Sequence, residues 1–345
     1  MQVCSLQLCA HCSSRVVNQL DGHGNYHITP SSIESMKSPT AWLLFTAFHI
    51  FFIEIFHAES LASSHEMASN SLRQRLLQGG KSYGPMILSD SSIVAEVLGG
   101  IGYGHIVLDM EHSPSNLQSC QRLLQALDAS SAYSGQRSEP IVRLESPHDT
   151  VAVKKILDSM CLPGGILVPM VEDAETAEKI VRAVRYPLQI NDNRNQEIDG
   201  IRGCAVPFVR ASGYGYVSNE EYLRQCNDDL LLMVQVETPK AVDAIPEIAS
   251  VEGIDVIFLG PFDLSASAGK MGDFSDPDVQ SLIARAEKAI LQSPCLLGGF
   301  RPPGVALSEM FEKGYRFICG AVDIGLLREA ARLDVRNGQD AIKRQ

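Results

Sequence analysis

From about residue 67 onward, short and continuous apolar runs alternate with stretches whose apolar positions recur at helical spacing. The runs are Gly84–Leu88, His105–Leu108, Pro140–Leu144, Gly165–Pro169, Leu230–Val234 leading to Glu237, Ile254–Leu259, Cys295–Phe300 and Phe317–Gly320. A strand covered on both faces reads as an unbroken apolar run, because neither face meets water. Helical candidates fall between them at Leu117–Asp128, Val151–Asp158, Ala174–Val184, Pro239–Ile248, Pro277–Leu291 and Val305–Lys313. Strand-then-helix units repeated eight times over about 270 residues predict an α/β fold, a (β/α)8 TIM barrel. A doubly wound open sheet is the alternative. Its glycine fingerprint is missing: Gly99-Gly100-Ile101-Gly102-Tyr103-Gly104 has the wrong spacing and precedes a strand, so it reads as a loop.

The alternation does not extend over the whole chain. Residues 1–66 are rich in Ser and His and show no period. They are predicted to form a non-barrel N-terminal extension, leaving 67–345 for the barrel domain. Within the extension, Ala41–Ala58 is about long enough to cross a bilayer, although His49, Glu54 and His57 interrupt it. It reads as a membrane anchor, an organelle-targeting leader or a segment with no folded role. Cys9-Ala10-His11-Cys12 has the spacing of half a metal site, but no second pair follows, so ordinary thiols are expected. Farther on, the polar, Asn-rich stretch Leu188–Asp199 separates Tyr186-Pro187 from Gly200-Ile201-Arg202-Gly203 and predicts an inserted surface loop.

Composition narrows the function classes. A hydrophobic content of 45% supports a sizeable core, and a net charge of −12 gives no electrostatic footprint for nucleic acid. The 9 cysteines are odd in number and irregularly spaced, which fits reduced thiols better than a disulfide framework. A cytoplasmic barrel is expected, with a membrane-anchored or organelle-targeted form left open by 41–58.

Polar residues collect at the C-terminal ends of the apolar runs, where a barrel gathers its chemistry. The second run ends Asp109-Met110-Glu111-His112, and the third carries Arg143. The fifth gives Gln235 and Glu237, which alternation places on one face. Gly260-Pro261-Phe262-Asp263-Leu264-Ser265 follows the sixth. A carboxylate beside an apolar strand is costly without a cation or donors, so Glu237 and Asp263 on successive strands suggest a shared metal ion. Two hard oxygen ligands, with positions left for water and a chelating substrate, suit Mg²⁺, Mn²⁺ or Co²⁺. Arg143 keeps its proton and needs an anionic partner such as a bound carboxylate or enolate. His112 is the natural proton carrier near neutral pH, and Asp109, three residues earlier, is expected to orient its ring or tune its basicity. The turn after Gly260 is placed to offer backbone N–H groups to a substrate carboxylate. Lys154, Lys155, Lys179, Lys240, Lys270 and Lys313 all fall in predicted helices or loops, so a Schiff-base route lacks its strand lysine. These parts suit a metal-stabilised enolate.

At these residues the chain resembles the HpcH/HpaI aldolases, class II pyruvate aldolases related to the citrate lyase β-subunit group. The resemblance runs from about Asn70 to Arg332. It rests on Leu108–His112, Val142-Arg143, Leu167–Val171, Arg202-Gly203, Val234–Thr238 and Gly260–Ser265. It implies a lyase that reversibly cleaves a 4-hydroxy-2-oxoacid to pyruvate and an aldehyde. By the same resemblance Glu237 and Asp263 bind the metal, Arg143 contacts the enolate oxygen, and His112 with Asp109 runs the proton transfers. Gln235 lies near the metal, the amides around Phe262 and Asp263 hold the pyruvate carboxylate, and a homo-oligomer, a hexamer, is expected. Phe262 stands where many members have Ala, the turn before the fourth strand (Ser159–Gly165) is slightly longer than usual, and Leu188–Asp199 breaks a segment that is usually compact. Two rivals remain in view: a C–C lyase acting on a CoA thioester, for which no Lys/Arg cluster is visible, and a catalytically silent barrel acting in assembly or binding.

Overall fold

Eight parallel strands close into a barrel in sequence order, β1 to β8, in the computed structural model of the chain. The structure describes residues 71–161, 164–187 and 199–343, all within the compact unit Asn70–Gln345. The extension 1–66, with its apolar segment 41–58, and residues 188–198 of the expected loop lie outside the described residues.

The chain runs through α1 (Leu72–Leu77), β1 (Ser82–Ile87), α2 (Ser92–Gly99), β2 (His105–Asp109), α3 (Leu117–Ser134), β3 (Glu139–Arg143), α4 (Thr150–Ser159), β4 (Gly165–Val168) and α5 (Ala174–Val184). It continues through α6 (Asn219–Arg224), β5 (Leu231–Val236), α7 (Pro239–Asp243), α8 (Ile245–Ala249), β6 (Val256–Leu259), α9 (Pro261–Ser267) and α10 (Pro277–Leu291). Then come β7 (Leu296–Phe300), α11 (Leu307–Glu312), β8 (Phe317–Val322) and α12 (Asp323–Lys343). Barrel closure pairs β1 with β8, Ser82 against Phe317. The expected (β/α)8 architecture is therefore what forms, and the open sheet is not.

Side-chain alternation along the strands builds two cores. Met86, Val107, Ile141, Leu167, Met233, Phe258 and Phe317 point inward and fill the barrel. Ile106, Leu108, Val142, Ile166, Val234 and Ile257 point outward and meet the helices. Short helix α1, which the periodicity did not predict, closes the N-terminal end, where Leu72 and Leu76 join the interior cluster. Arg73 fixes it there by donating to Asp255 Oδ1 at 2.8 Å and to the Asp228 carbonyl at 2.9 Å.

The long helices start on side chains that satisfy their first backbone N–H groups: Asn116 for α3, Asp149 for α4, Asp173 for α5 and Asp276 for α10. Two expectations change. The single helix expected over Pro239–Ile248 is split into α7 and α8, where Pro246 lacks the N–H an unbroken helix would use. The helix expected at Val305–Lys313 shortens to α11 after Pro302-Pro303-Gly304. The turn expected after Gly260 is the first turn of α9, with Pro261 at its favoured first position. Helix α12 exposes Ile324, Leu327, Leu333, Val335 and Ile342. Among the described residues, no helix is long and apolar enough to cross a membrane.

Candidate active site

The C-terminal ends of β2 and β3 set the first pair. Parallel register puts Asp109 beside Arg143, each the last residue of its strand. The guanidinium donates in a fork, Nε to Asp109 Oδ1 at 2.7 Å and Nη2 to Oδ2 at 2.8 Å. Asp109 is fully buried and also accepts the backbone N–H groups of Glu111 at 3.0 Å and His112 at 3.3 Å. Its carboxylate is thus taken up by Arg143 and by the turn after β2. The expected partnership with the His112 ring is not what the geometry shows; the ring Nε2 lies 3.6 Å from Glu111 Oε2 instead. Glu111 Oε2 is also 2.9 Å from Arg143 Nη1, a charge contact that lacks hydrogen-bond alignment.

The end of β5 sets the second pair. Gln235 and Glu237 share a face as alternation requires, and the Gln235 amide donates to Glu237 Oε2. Glu237 Oε1 accepts the Met170 N–H at 2.7 Å, and Met170 reaches it from the left-handed region at φ 52°, rare for a side chain other than Gly, Asn or Asp. Gly260 makes the close approach of β6 feasible. A Cβ there would fall 2.5 Å from Glu237 Oε2 and 2.9 Å from Gln235 Nε2. Asp263 follows in the first turn of α9, and Ser267 of the same helix donates to the Glu237 carbonyl at 3.0 Å.

Electrostatics join the two pairs. Burial pushes the Glu237 carboxyl up to about 7, with the Gln235 and Met170 bonds opposing and the Glu111 and Asp263 charges adding to the rise. Burial likewise pushes Glu111 up to about 7, opposed by Arg143 and assisted by Asp109 and Asp263. Burial works against the Arg143 charge too, but Asp109, Glu111 and Glu237 outweigh it and hold the guanidinium above its ordinary value. These carboxylates crowd one another in a site short of positive charge. That is the condition a divalent cation relieves. Glu237 and Asp263 are oxygen donors of the right hardness, and the buried Gln235 Oε1 has no hydrogen-bond partner. Among the described residues no group of three or more His, Cys, Asp or Glu is arranged to hold an ion.

His112, Arg143, Gln235, Gly260, Phe262 and Asp263 line one cavity of about 310 Å³ together with Met86, Leu88, Phe258, Pro261, Phe300 and Val322. Of the strand-end residues picked from the sequence, His112, Arg143, Gln235 and Asp263 therefore meet in this cavity, while Asp109 and Glu237 are buried beside it, bonded to Arg143 and Gln235. Three contributors were missed. Glu111 carried no signal beyond its place beside Asp109. Met170 is set by a backbone angle, and Phe300 by the reach of β7 into the cavity. No described strand contains a lysine, so the Schiff-base route has no group to use.

A closed eight-stranded barrel with carboxylates and an arginine at its C-terminal mouth is an arrangement that carbon–carbon lyase chemistry can use. The chain belongs to the HpcH/HpaI aldolase/citrate lyase family, whose model matches residues 84–330. It is 35% identical over 268 residues to the 4-hydroxy-2-oxo-heptane-1,7-dioate aldolase of Shigella flexneri, covering 76% of this chain and 90% of that protein. To the hydroxypyruvate/pyruvate aldolase of Roseovarius nubinhibens it is 34% identical, over 76% of this chain and 95% of the relative. A crystal structure of a family member from Burkholderia cenocepacia J2315 superposes with a TM-score of 0.69 at 32% identity, covering 78% of this chain and 98% of that one.

Proposed function

We propose that the protein catalyses divalent-metal-dependent, reversible aldol cleavage of a 4-hydroxy-2-oxoacid to pyruvate and an aldehyde. The observation that carries this reading is Arg143, forked to Asp109 and touching Glu111, lining one cavity with Asp263 and with Gln235, whose amide holds the buried Glu237. Glu237 and Asp263 would hold the cation, which when bound supplies Lewis-acid polarisation of the 2-oxo acid.

The chain's own groups do the rest. Asp109 holds the guanidinium in one orientation, so its remaining N–H opposes the negative charge that develops on the substrate oxygen as the carbon–carbon bond breaks. Preorganisation of this kind adds no reorganisation cost at the moment of reaction. The first turn of α9 presents backbone N–H groups at Phe262 and Asp263 to the substrate carboxylate. His112, at the cavity wall with its ring beside Glu111, moves the proton between the 4-hydroxyl and solvent. Gln235 keeps Glu237 in place through its amide.

The test is deuterium exchange into the pyruvate methyl group, followed by NMR on the full chain with and without Mg²⁺ or Mn²⁺. Exchange that requires the metal supports the reading. Its absence from protein shown to bind metal would refute it.

A further inference from the structure

The cavity wall away from the carboxylates is apolar: Met86, Leu88, Phe258, Phe262, Phe300 and Val322. Among the described lining residues, the groups able to carry positive charge are Arg143 and, when protonated, His112. Both are already engaged. Arg143 faces Asp109 and Glu111, and the His112 ring lies 3.6 Å from Glu111. A second carboxylate at the far end of a substrate would enter this wall with no uncommitted cation and with Asp263 on the same lining. An alkyl or aryl chain would instead cover surface that is apolar already.

The end of that wall is an aromatic partition. Phe262 meets Phe274 edge-on with ring centroids 4.9 Å apart at 87°, and Phe300 at 5.8 Å and 72°. Edge-to-face contacts of this kind hold rings in place better than isolated apolar side chains are held. Behind the partition lies a second chamber of about 600 Å³, with Leu259, Ile283, Val305 and Met310 on its walls and Glu287, Glu309 and Lys313 among its other lining residues, and Pro261 and Phe300 line both spaces. Phe300 reaches inward from β7, where Gly298 two residues earlier leaves the interior to Val256 and Phe258; a Cβ at 298 would fall 2.8 Å from Val256 Cγ1.

We propose that the aldehyde partner is uncharged and apolar, and that Phe300 is the side chain that sets its length by closing the catalytic cavity against the second chamber. This rests on the aldolase reading above and specifies its substrate class. It separates this chain from the dioate substrate in the name of the Shigella flexneri relative, whose 2-oxoacid carries a second carboxylate.

The experiment uses the full chain with Mn²⁺ and pyruvate. In the unaltered protein, pentanal and succinic semialdehyde compete as acceptors of similar length. Pentanal is expected to be favoured by about tenfold or more in kcat/KM, the scale of one well-matched apolar contact. In Phe300→Ala, the kcat/KM ratio of heptanal to propanal is expected to rise about tenfold. Phe300→Leu shifts the same ratio in the same direction by less, and serves if the alanine variant folds poorly. Equal or greater use of succinic semialdehyde, or a chain-length ratio unmoved in both variants, overturns the inference. Pyruvate-methyl exchange in the unaltered protein tells two failures apart. Exchange with a preference for the charged aldehyde sinks this inference alone, whereas no exchange sinks it together with the aldolase reading.

Discussion

The two ends of the barrel carry buried ionisable groups in comparable number and use them in opposite ways. At the N-terminal end His105 and Asp255 are closed off. The His105 ring stacks on Phe317 with centroids 3.8 Å apart, shares a 2.7 Å contact through Nδ1 with Ser82 Oγ, and is held neutral by burial, its value lowered to about 3. Asp255 is matched by Arg73 at 2.8 Å and by the Leu232 N–H at 3.0 Å. At the C-terminal end Asp263 lines a cavity, its charge adds to the reluctance of Glu111 and Glu237 to ionise, and Glu111 adds to that of Glu237. Strand β2 spans the contrast, from His105 at its start to Asp109 at its end. Satisfied buried polarity stabilises the fold; a surplus of one charge sign around a cavity is where a cation and an anionic substrate can act.

The sharpest way to break the contrast is to remove a carboxylate from the open end. Glu237→Gln or Asp263→Ala is expected to lower metal-dependent cleavage by about 10³-fold or more while leaving thermal unfolding near that of the unaltered protein. Steady-state kinetics and a melting curve check both halves. Gly260→Ala presses a methyl group against Glu237 Oε2 without removing a ligand, so metal affinity should fall by about 10- to 100-fold in a Mn²⁺ titration. Unchanged affinity would show that the tight packing of β6 against Glu237 is irrelevant.

Changes at the closed end should move stability and spare chemistry. Arg73→Ala leaves Asp255 with its backbone donor and the charge of Arg185 but without its hydrogen-bonded cation, and is expected to cost about 1–3 kcal/mol in denaturant unfolding at unchanged kcat. An effect of comparable size is read through pH. The neutral His105 binds a proton readily only when unfolded, so protonation of the unfolded chain erodes stability as pH falls from about 6.5 toward about 3. The slope reaches at most about 1.4 kcal/mol per pH unit. In His105→Leu this contribution should vanish, as measured by unfolding midpoints between pH 7 and 5.

Much of this difference could be read along the chain. The barrel was legible because its strands are buried on both faces and therefore uninterrupted, and Asp109, Arg143, Gln235 and Glu237 stood out as polar residues ending such runs. Side-chain alternation correctly put Gln235 and Glu237 on one face. The partner of Asp109 was not legible from local spacing. Three residues separate it from His112, but strand register, a long-range property, sets it beside Arg143. Helix α1 escaped because six residues show too little period, and its role appears only once Leu72 and Leu76 enter the barrel interior. Phe300 sat in an unremarkable apolar run, and only closure of the barrel gives it two cavities to divide.

The open end is expected to hold a divalent cation between Glu237 and Asp263. Electron paramagnetic resonance titration of Mn²⁺ into the full chain, the Asp263→Ala variant and the Arg73→Ala variant tests it directly. A bound ion is expected in the unaltered protein and in Arg73→Ala, and its loss in Asp263→Ala. Binding that survives in Asp263→Ala, or is missing from the unaltered protein, would contradict it.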